Sequence, residues 1–196
     1  MTRIAKGVLV LGLIVGLTGW GLSRAGHAAV VVMGGIGQSC WEAAREADHR
    51  HAVAPGAIDV CSRALDSQLS VRDQAATYVN RGVLYMINGQ IQDAMEDFDH
   101  GAALAPNLAE AHVNLGASLV AMRHDRDGIA EITKGLDMGS MEPEKSYFNR
   151  AVAEEHLDDL QAAYRDYSKA SELKPEWQQP KDELTRFQVQ SAPAGR

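Results

Sequence analysis

Apolar residues recur at helical spacing along most of the chain, in pairs of segments separated by short polar turns. In residues 75–108, apolar faces on both sides of Asn88-Gly89 predict two helices joined by a turn. Upstream, Trp41 to Asp48 and Ala57 to Gln68 carry the same kind of pattern. From there on, the spacing predicts helices near residues 72–88, 91–104, 109–122, 127–138, 143–156 and 159–173. The sequence therefore predicts an all-α fold.

The helical pairs are copies of one another. The triplet Asn80-Arg81-Gly82 recurs as Asn114-Leu115-Gly116, at an offset of 34, and as Asn149-Arg150-Ala151, at an offset of 69. The offset of 69 also maps three marker residues of the first copy onto the third, namely Ala94 onto Ala163, Phe98 onto Tyr167 and Pro106 onto Pro175. Since 69 is two periods plus one, one residue is inserted between the second and third copies. One helical pair cannot bury its apolar face alone, so the copies must stack.

The spacing inside the first copy points to a known family. Its markers are, in order, Tyr78, Arg81, Gly82, Tyr85, Ala94, Phe98 and Pro106. These offsets match the helix-turn-helix signature of a family whose repeat is about 34 residues long, so the segment resembles a tetratricopeptide repeat. The resemblance implies an all-α, right-handed solenoid of about four helical hairpins with a C-terminal capping helix.

The resemblance also divides the chain into repeats and flanking segments. The degenerate first repeat has Arg45 where the good copy has Gly82. After the last repeat, Trp177, Leu184 and Phe187 are placed to close the open end of the stack. The expected boundaries are 1–28 for a signal peptide or an N-terminal membrane anchor, 29–37 for a flexible lead-in, 38–71 for the degenerate repeat, 75–108, 109–143 and 144–177 for three repeats, 178–190 for the capping helix and 191–196 for a disordered tail.

The N-terminal segment, residues 1–28, has the order of a secretory signal peptide. Arg3 and Lys6 precede an uncharged, mostly apolar run from Gly7 to Leu22, and Gly26-His27-Ala28 offers small residues for cleavage. The run is shorter than the roughly 20 residues of a membrane span. We therefore expect cleavage near Ala28 and an exported protein, either periplasmic or secreted. A second apolar stretch, Ala28 to Met33, leaves open an inner-membrane anchor with the repeats outside the cytoplasm.

Two cysteines, Cys40 and Cys61, fall on the two expected helices of the degenerate repeat, roughly level on either side of the turn. An even number of cysteines in an exported chain favours a disulfide. The alternative is a pair of buried thiols that pack as small apolar groups. A zinc site is not indicated, because no two cysteines stand at the close spacing of zinc ligands.

Charge and motifs exclude several classes of function. The net charge is −7, and residues 1–28 hold three basic side chains and no acid, so a cleaved chain would carry −7 − 3 = −10. Such a chain lacks the basic patch that nucleic acids and anionic lipids require, and membrane contact would depend on a retained N-terminal segment. No catalytic, cofactor or metal motif is present. The acidic pairs Glu154-Glu155 and Asp158-Asp159 are adjacent residues, which point different ways on a helix.

Recurring asparagines suggest how a partner would be held. In the family the first helix of each hairpin lines the concave surface, which would place Asn80, Asn114 and Asn149 there. The arrangement resembles the asparagine ladder in the repeats of O-linked N-acetylglucosamine transferase, which hold a peptide by its backbone. An asparagine amide offers both an acceptor and a donor. With first helices about 10 Å apart and an extended peptide advancing about 3.3 Å per residue, the amides would meet about every third residue.

The residues beside these asparagines complete the expected groove. They are Val79, Val83, Val113, Ala117, Phe148 and Val152. Because they are mostly apolar, the expected client is an extended peptide or protein segment with apolar side chains. The competing interpretation is that asparagine recurs through duplication, or because it bonds a neighbouring helix backbone. The resemblance thus implies a non-catalytic protein-interaction module of the cell envelope, and the alternatives are a self-associating, homo-oligomeric scaffold and the frame of an enzyme.

Overall fold

A computed structural model describes residues 28–31 and 35–191 of the 196-residue chain. This part of the chain is helical, without a strand. A short 3-10 turn at Gly35–Gly37 precedes nine α-helices: α1 (Gln38–Arg50), α2 (Ala57–Leu65), α3 (Val71–Ile87), α4 (Ile91–Leu104), α5 (Ala109–Ala121), α6 (Asp125–Asp137), α7 (Pro143–His156), α8 (Leu160–Leu173) and α9 (Gln178–Ser191). From α3 to α8, each helix end lies at most two positions from the predicted one.

The helices pair into hairpins that stack in chain order. Within the repeats, α3 packs on α4, α5 on α6 and α7 on α8, while α4 contacts α5 and α6 contacts α7. The first helices α3, α5 and α7 also contact one another in sequence, so they form one continuous surface. The predicted all-α solenoid is confirmed.

Small residues let the two helices of a hairpin approach closely. A Cβ added at Gly82 would fall 2.5 Å from Cε1 of Phe98, a ring that is itself fully buried. At Gly116 the obstacle is backbone, because a Cβ would fall 2.8 Å from the carbonyl oxygen of Gly128. The glycines of the repeat signature are therefore required by packing between helices.

The degenerate first repeat is closed by a covalent bond. Cys40 on α1 and Cys61 on α2 form a disulfide, and both residues are completely buried. Arg45 avoids the helix contact, since it is exposed and lies over the ring of Trp41 at 5.0 Å. A disulfide thus joins two helices whose sequence lacks the small residue of the other repeats.

The other end of the stack is covered by α9 and the turn before it. Trp177, Leu184 and Phe187 pack against the apolar core of the last hairpin. The ring centroid of Trp177 lies 4.9 Å from that of Phe148. Arg186 donates to the Glu155 carboxylate at 2.7 Å, which ties α9 to α7.

Several predictions concern residues that the structure does not describe. Residues 1–27 of the expected signal peptide or anchor (1–28), residues 32–34 of the expected lead-in and residues 192–196 of the expected tail lie outside the described residues. Over the described ranges, no helix is both long enough and apolar enough to cross a bilayer.

Candidate functional site

The surface formed by α3, α5 and α7, called the groove below, holds residues 28–31 of the same chain. Ala28 and Ala29 are 0% and 2% exposed, and Val31 is 8% exposed. The prediction of a flexible lead-in is therefore wrong for residues 29–31. These residues are fixed because their main-chain groups find partners on the helices of the groove.

Two asparagines hold the segment by its backbone. The Asn114 side-chain oxygen accepts from the Ala29 N–H at 2.7 Å, and its Nδ2 donates to the Ala29 carbonyl at 2.7 Å. Asn80 pairs in the same way with the N–H and carbonyl of Val31, both at 2.8 Å. Both asparagines are completely buried, so these bonds satisfy amides that would otherwise be costly to enclose. No side chain of the segment takes part in this pairing.

The amides meet every second residue of the segment, and the predicted spacing of three is wrong. In an extended strand, the N–H and C=O of one residue point to the same edge, and those of the next residue point to the opposite edge. Residues 29 and 31 therefore present their polar groups to one edge, about 6.6 Å apart. Side chains that converge on an inner surface lie closer together than the axes of their helices, which explains the shorter spacing.

A lysine on α7 contacts the segment one residue earlier. Lys145 donates to the Ala28 carbonyl at 2.9 Å, to Asp48 at 2.8 Å and to Glu142 at 3.2 Å. Burial opposes the charge of this lysine, but the two carboxylates outweigh burial and raise its pKa. Lys145 is therefore a fixed cation that ties the segment to α7 and, through Asp48, to α1. The segment thus runs from α7 past α5 to α3, against the order of the repeats.

The predicted groove residues are all buried, but they divide into two groups. Val83 and Ala117, and also Val79, belong to the same apolar cluster as Ala28 and Val31. On α7, the equivalent Asn149 and Val152 are each 2% exposed.

The three residues that directly precede the asparagines contact the second helices of their hairpins. Val79 lies against Gly101 of α4, since its Cγ2 would be 2.9 Å from a Cβ there. Val113 lies against Gly135 of α6 in the same manner. The Phe148 ring packs on Tyr167 of α8 at 5.3 Å. The assignment to the groove is corrected for Val113 and Phe148, because adjacent residues of a helix are rotated by about 100°. Val79 contacts α4 and also belongs to the cluster of Ala28 and Val31.

Sequence reasoning missed the two parts of the site that come from distant positions. Nothing in a periodic pattern marks Lys145, whose partner Asp48 is 97 residues away. Residues 28–31 carry no motif and fall at the junction of the expected signal peptide and the expected lead-in. The sequence signal that came nearest to revealing this segment was composition. Ala28 to Met33 is apolar, and an exposed apolar stretch is unfavourable in water.

Other polar clusters in the described residues hold helices together. Arg81 pairs with Asp97 through two bonds of 2.8 Å, and Arg150 pairs with Asp166 at the equivalent positions of the third repeat. Glu155 of the acidic pair Glu154-Glu155 accepts from the buried Tyr167 hydroxyl at 3.0 Å. Across residues 28–31 and 35–191, no group of three or more histidine, cysteine and acidic residues could hold a metal ion.

Sequence comparison agrees with the geometry of the hairpins. The profile of the tetratricopeptide repeat matches residues 75–108 and 144–176. These two segments are tetratricopeptide repeats. No curated protein matches its sequence significantly. The tetratricopeptide fold is typically a non-catalytic interaction module.

Solved tetratricopeptide structures superpose on the chain at low sequence identity. The TPR domain of Arabidopsis OM64 has a TM-score of 0.58 at 18% identity, covering 61% of this chain and 98% of that one. The first TPR of Spaghetti (RPAP3), bound to the HSP90 peptide SRMEEVD, has a TM-score of 0.55 at 19% identity, covering 60% and 96%. The crystal structure of MamA has a TM-score of 0.58 at 18% identity, covering 78% and 82%. These likenesses show the fold.

Proposed function

We propose that this protein is a non-catalytic interaction module of the cell envelope that holds an extended segment of a protein partner in its groove. The observation that carries the proposal is the double pairing of Asn80 and Asn114 with main-chain groups. A groove that binds the main-chain N–H and C=O groups of its occupant recognises an extended polypeptide by its backbone. Each hydrogen bond made by these buried side-chain amides contributes roughly 1 kcal/mol. The four together therefore contribute substantially to the free energy of binding.

Two further points support the proposed localisation and the proposed kind of partner. The order of residues 1–28 is that of a signal peptide, which supports export. One structural relative, the first TPR of Spaghetti, is seen with a bound peptide. The acidic charge of the chain favours a partner segment that is apolar or basic over one that is acidic.

The test is a pull-down from envelope extract with a bait whose groove is open. The bait is the full chain with Ala29→Glu and Val31→Asp, which place charges where the structure buries apolar side chains. The comparison bait carries Asn80→Ala and Asn114→Ala in addition. We expect one partner, identified by mass spectrometry, to be recovered with the first bait and lost with the second.

A matched control separates loss of binding from loss of folding. Asn88→Ala removes the same amide from an exposed turn outside the groove and should leave recovery unchanged. Circular dichroism melting curves of all baits should agree within a few degrees. Equal recovery of the partner by the bait lacking Asn80 and Asn114 would contradict the proposal.

A self-associating scaffold is the second candidate, because the groove already accepts a segment of this chain. If residues 28–31 of one copy enter the groove of another, the same hydrogen bonds would join two molecules. Light scattering after size exclusion, at protein concentrations spanning two orders of magnitude, tests this candidate. A mass that rises with concentration in the wild-type chain, and does not rise when Asn80 and Asn114 are alanine, would favour the scaffold.

A further inference from the structure

The bound segment also indicates which partners the groove accepts. We propose that the groove selects an extended segment with alanine-sized side chains at two consecutive positions, a half-buried side chain of valine's shape next, and a branched apolar side chain at the fourth. In this proposal the segment runs from α7 toward α3, and residues 28–31 are a built-in competitor that the partner displaces. The inference rests on the proposed function and adds the sequence that the groove prefers.

The first part of the preference comes from burial of two small side chains. Ala28 and Ala29 are 0% and 2% exposed, so their methyl groups are enclosed by the helices around them. Protein interiors are packed to crystal-like density, and side chains longer than the native one force neighbours to move. A leucine in place of either alanine would therefore have to separate helices that the repeat signature holds together.

The second part comes from the fixed register. Asparagine amides alone would let a peptide slide by two residues, because every second residue offers the same main-chain groups. Lys145 does not remove this freedom, because the Ala28 carbonyl that it contacts is also a main-chain group that every residue offers. The enclosed side chains of Ala28, Ala29 and Val31 set the register instead. With the register fixed, the same side-chain positions always meet the same enclosing residues. Backbone pairing thereby becomes selective for sequence.

The third part comes from the last position of the segment. Val31 is 8% exposed and belongs to the apolar cluster that contains Val79 and Val83. A charged side chain there would be enclosed without a partner, which is unfavourable. Val30 differs, because it is only half-buried where it packs against two apolar clusters, and the asparagines bond residues 29 and 31 instead. Position 30 should therefore tolerate a polar side chain of similar shape.

The experiment begins by opening the groove of the full chain. The variant with Ala29→Glu and Val31→Asp should release the segment while the stack stays folded. Hydrogen exchange measured on peptides that cover residues 28–31 should be slow in the wild-type chain and at least tenfold faster in the variant. Melting curves by circular dichroism check that both chains remain folded.

Binding is then measured with fluorescein-labelled peptides of defined sequence. The reference peptide has the sequence of residues 25–34, and three others carry Ala29→Leu, Val31→Asp or, as the matched control, Val30→Thr. By fluorescence anisotropy, we expect the Leu and Asp peptides to bind the open variant at least tenfold more weakly than the reference. The Thr peptide should bind within about threefold of it. The wild-type chain should bind the reference peptide at least tenfold more weakly than the open variant does.

The outcomes separate this inference from the proposed function. If all four peptides bind the open variant equally, and binding is lost when Asn80 and Asn114 become alanine, the sequence preference is wrong and the proposed function stands. If the reference peptide does not bind, or binds regardless of the asparagines, both the inference and the proposed use of the groove are wrong. Equal binding to the wild-type chain and the open variant would overturn the role of residues 28–31 as a competitor.

Discussion

At the scale of single residues, one carboxylate on α7 lies where its charge is unfavourable. Glu154 is half-buried, and its Oε2 has no hydrogen-bond partner among the described residues. Burial is the main cause that raises its pKa to about 7, and the nearby Asp166 adds to the effect while Arg150 opposes it. Since the unfolded chain would titrate near the ordinary value of 4.5, the folded state binds more protons between these two values. The contribution of Glu154 to stability is therefore fully present below about pH 4.5 and is lost as the pH rises through 7.

Replacing this side chain with its neutral isostere should remove the pH dependence. We expect Glu154→Gln to raise the melting temperature above pH 7 and to change it little near pH 5, because the amide resembles the protonated acid. Scanning calorimetry at several pH values between 5 and 8 measures the difference. The exposed Glu96 provides the control, since Glu96→Gln should show no such trend. A difference that is the same at pH 5 and pH 8 would contradict the assignment.

The repeat register in the sequence indicates where the two bonding asparagines lie. The offset of 34 places Asn80 and Asn114 on one face of their helices, and that face is the groove. The same reasoning placed Val113 in the groove, although it lies one position before Asn114 and packs against Gly135 of α6. A shift of one residue turns a side chain by about 100°, and no repeat signature states which side of an asparagine faces inward.

At the scale of elements, the helices were predictable because the pattern was repeated, and repetition averages out local ambiguity. Each helix end of the three better repeats falls at most two positions from its predicted place. The prediction for the degenerate repeat was less accurate, since α2 ends at Leu65 whereas the sequence pattern predicted a helix to Gln68. Its packing is decided by the pair Cys40 and Cys61, which the period does not describe.

The disulfide between α1 and α2 makes a testable contribution to stability. It closes a loop across 21 residues of sequence, and a loop of this size is worth roughly 3 kcal/mol in the free energy of unfolding. Reduction should therefore lower the denaturation midpoint in urea, and the unreduced chain should resist thiol labelling even when denatured. Cys40→Ala with Cys61→Ala is the control, because its midpoint should not respond to the reductant. Free labelling of both thiols in unreduced, denatured protein would show that the bridge is absent.

The last helix should be required for a stable stack. Truncation after Lys174 removes Trp177, Leu184 and Phe187, which cover the core of the third repeat, and exposed repeat ends promote aggregation. We expect a lower melting temperature and a shift to larger species in size exclusion. Deleting only residues 192–196 is the control and should change neither. A truncated chain that melts like the full one and stays monomeric would argue against a capping role.

At the scale of the whole molecule, the decisive contacts join positions far apart in the chain. The bond from Ala29 to Asn114 spans 85 residues, and that from Lys145 to Ala28 spans 117. Helical periodicity carries information over a few turns, so the occupant of the groove could not be predicted from it. The type of groove could be predicted, because it depends only on the repeated helices.

The expected export signal predicts the N-terminal residue of the mature protein in the native host. The signal-peptide order of residues 1–28 leads us to expect a mature protein that starts near Ala29 and fractionates outside the cytoplasm. N-terminal sequencing of the protein recovered from cell fractions measures this directly. Replacing Ala28 with a bulky residue is the control, since it should slow cleavage at this position. Recovery of intact Met1 in the membrane fraction would favour the anchor.

The complete enclosure of Ala28 has a consequence for the timing of this event. A peptidase needs access to the bond between Ala28 and Ala29, and that bond lies in the groove once the stack has formed. Cleavage and folding would therefore compete in rate. A chain that is cut first would keep the asparagine hydrogen bonds to its new first residues but lose the Ala28 carbonyl that Lys145 contacts. A chain that folds first would shield the Ala28–Ala29 peptide bond and keep its N-terminal segment. Slowing the stacking of the repeats would then raise the fraction that is processed, so the ratio of the two forms would report the folding rate in the cell.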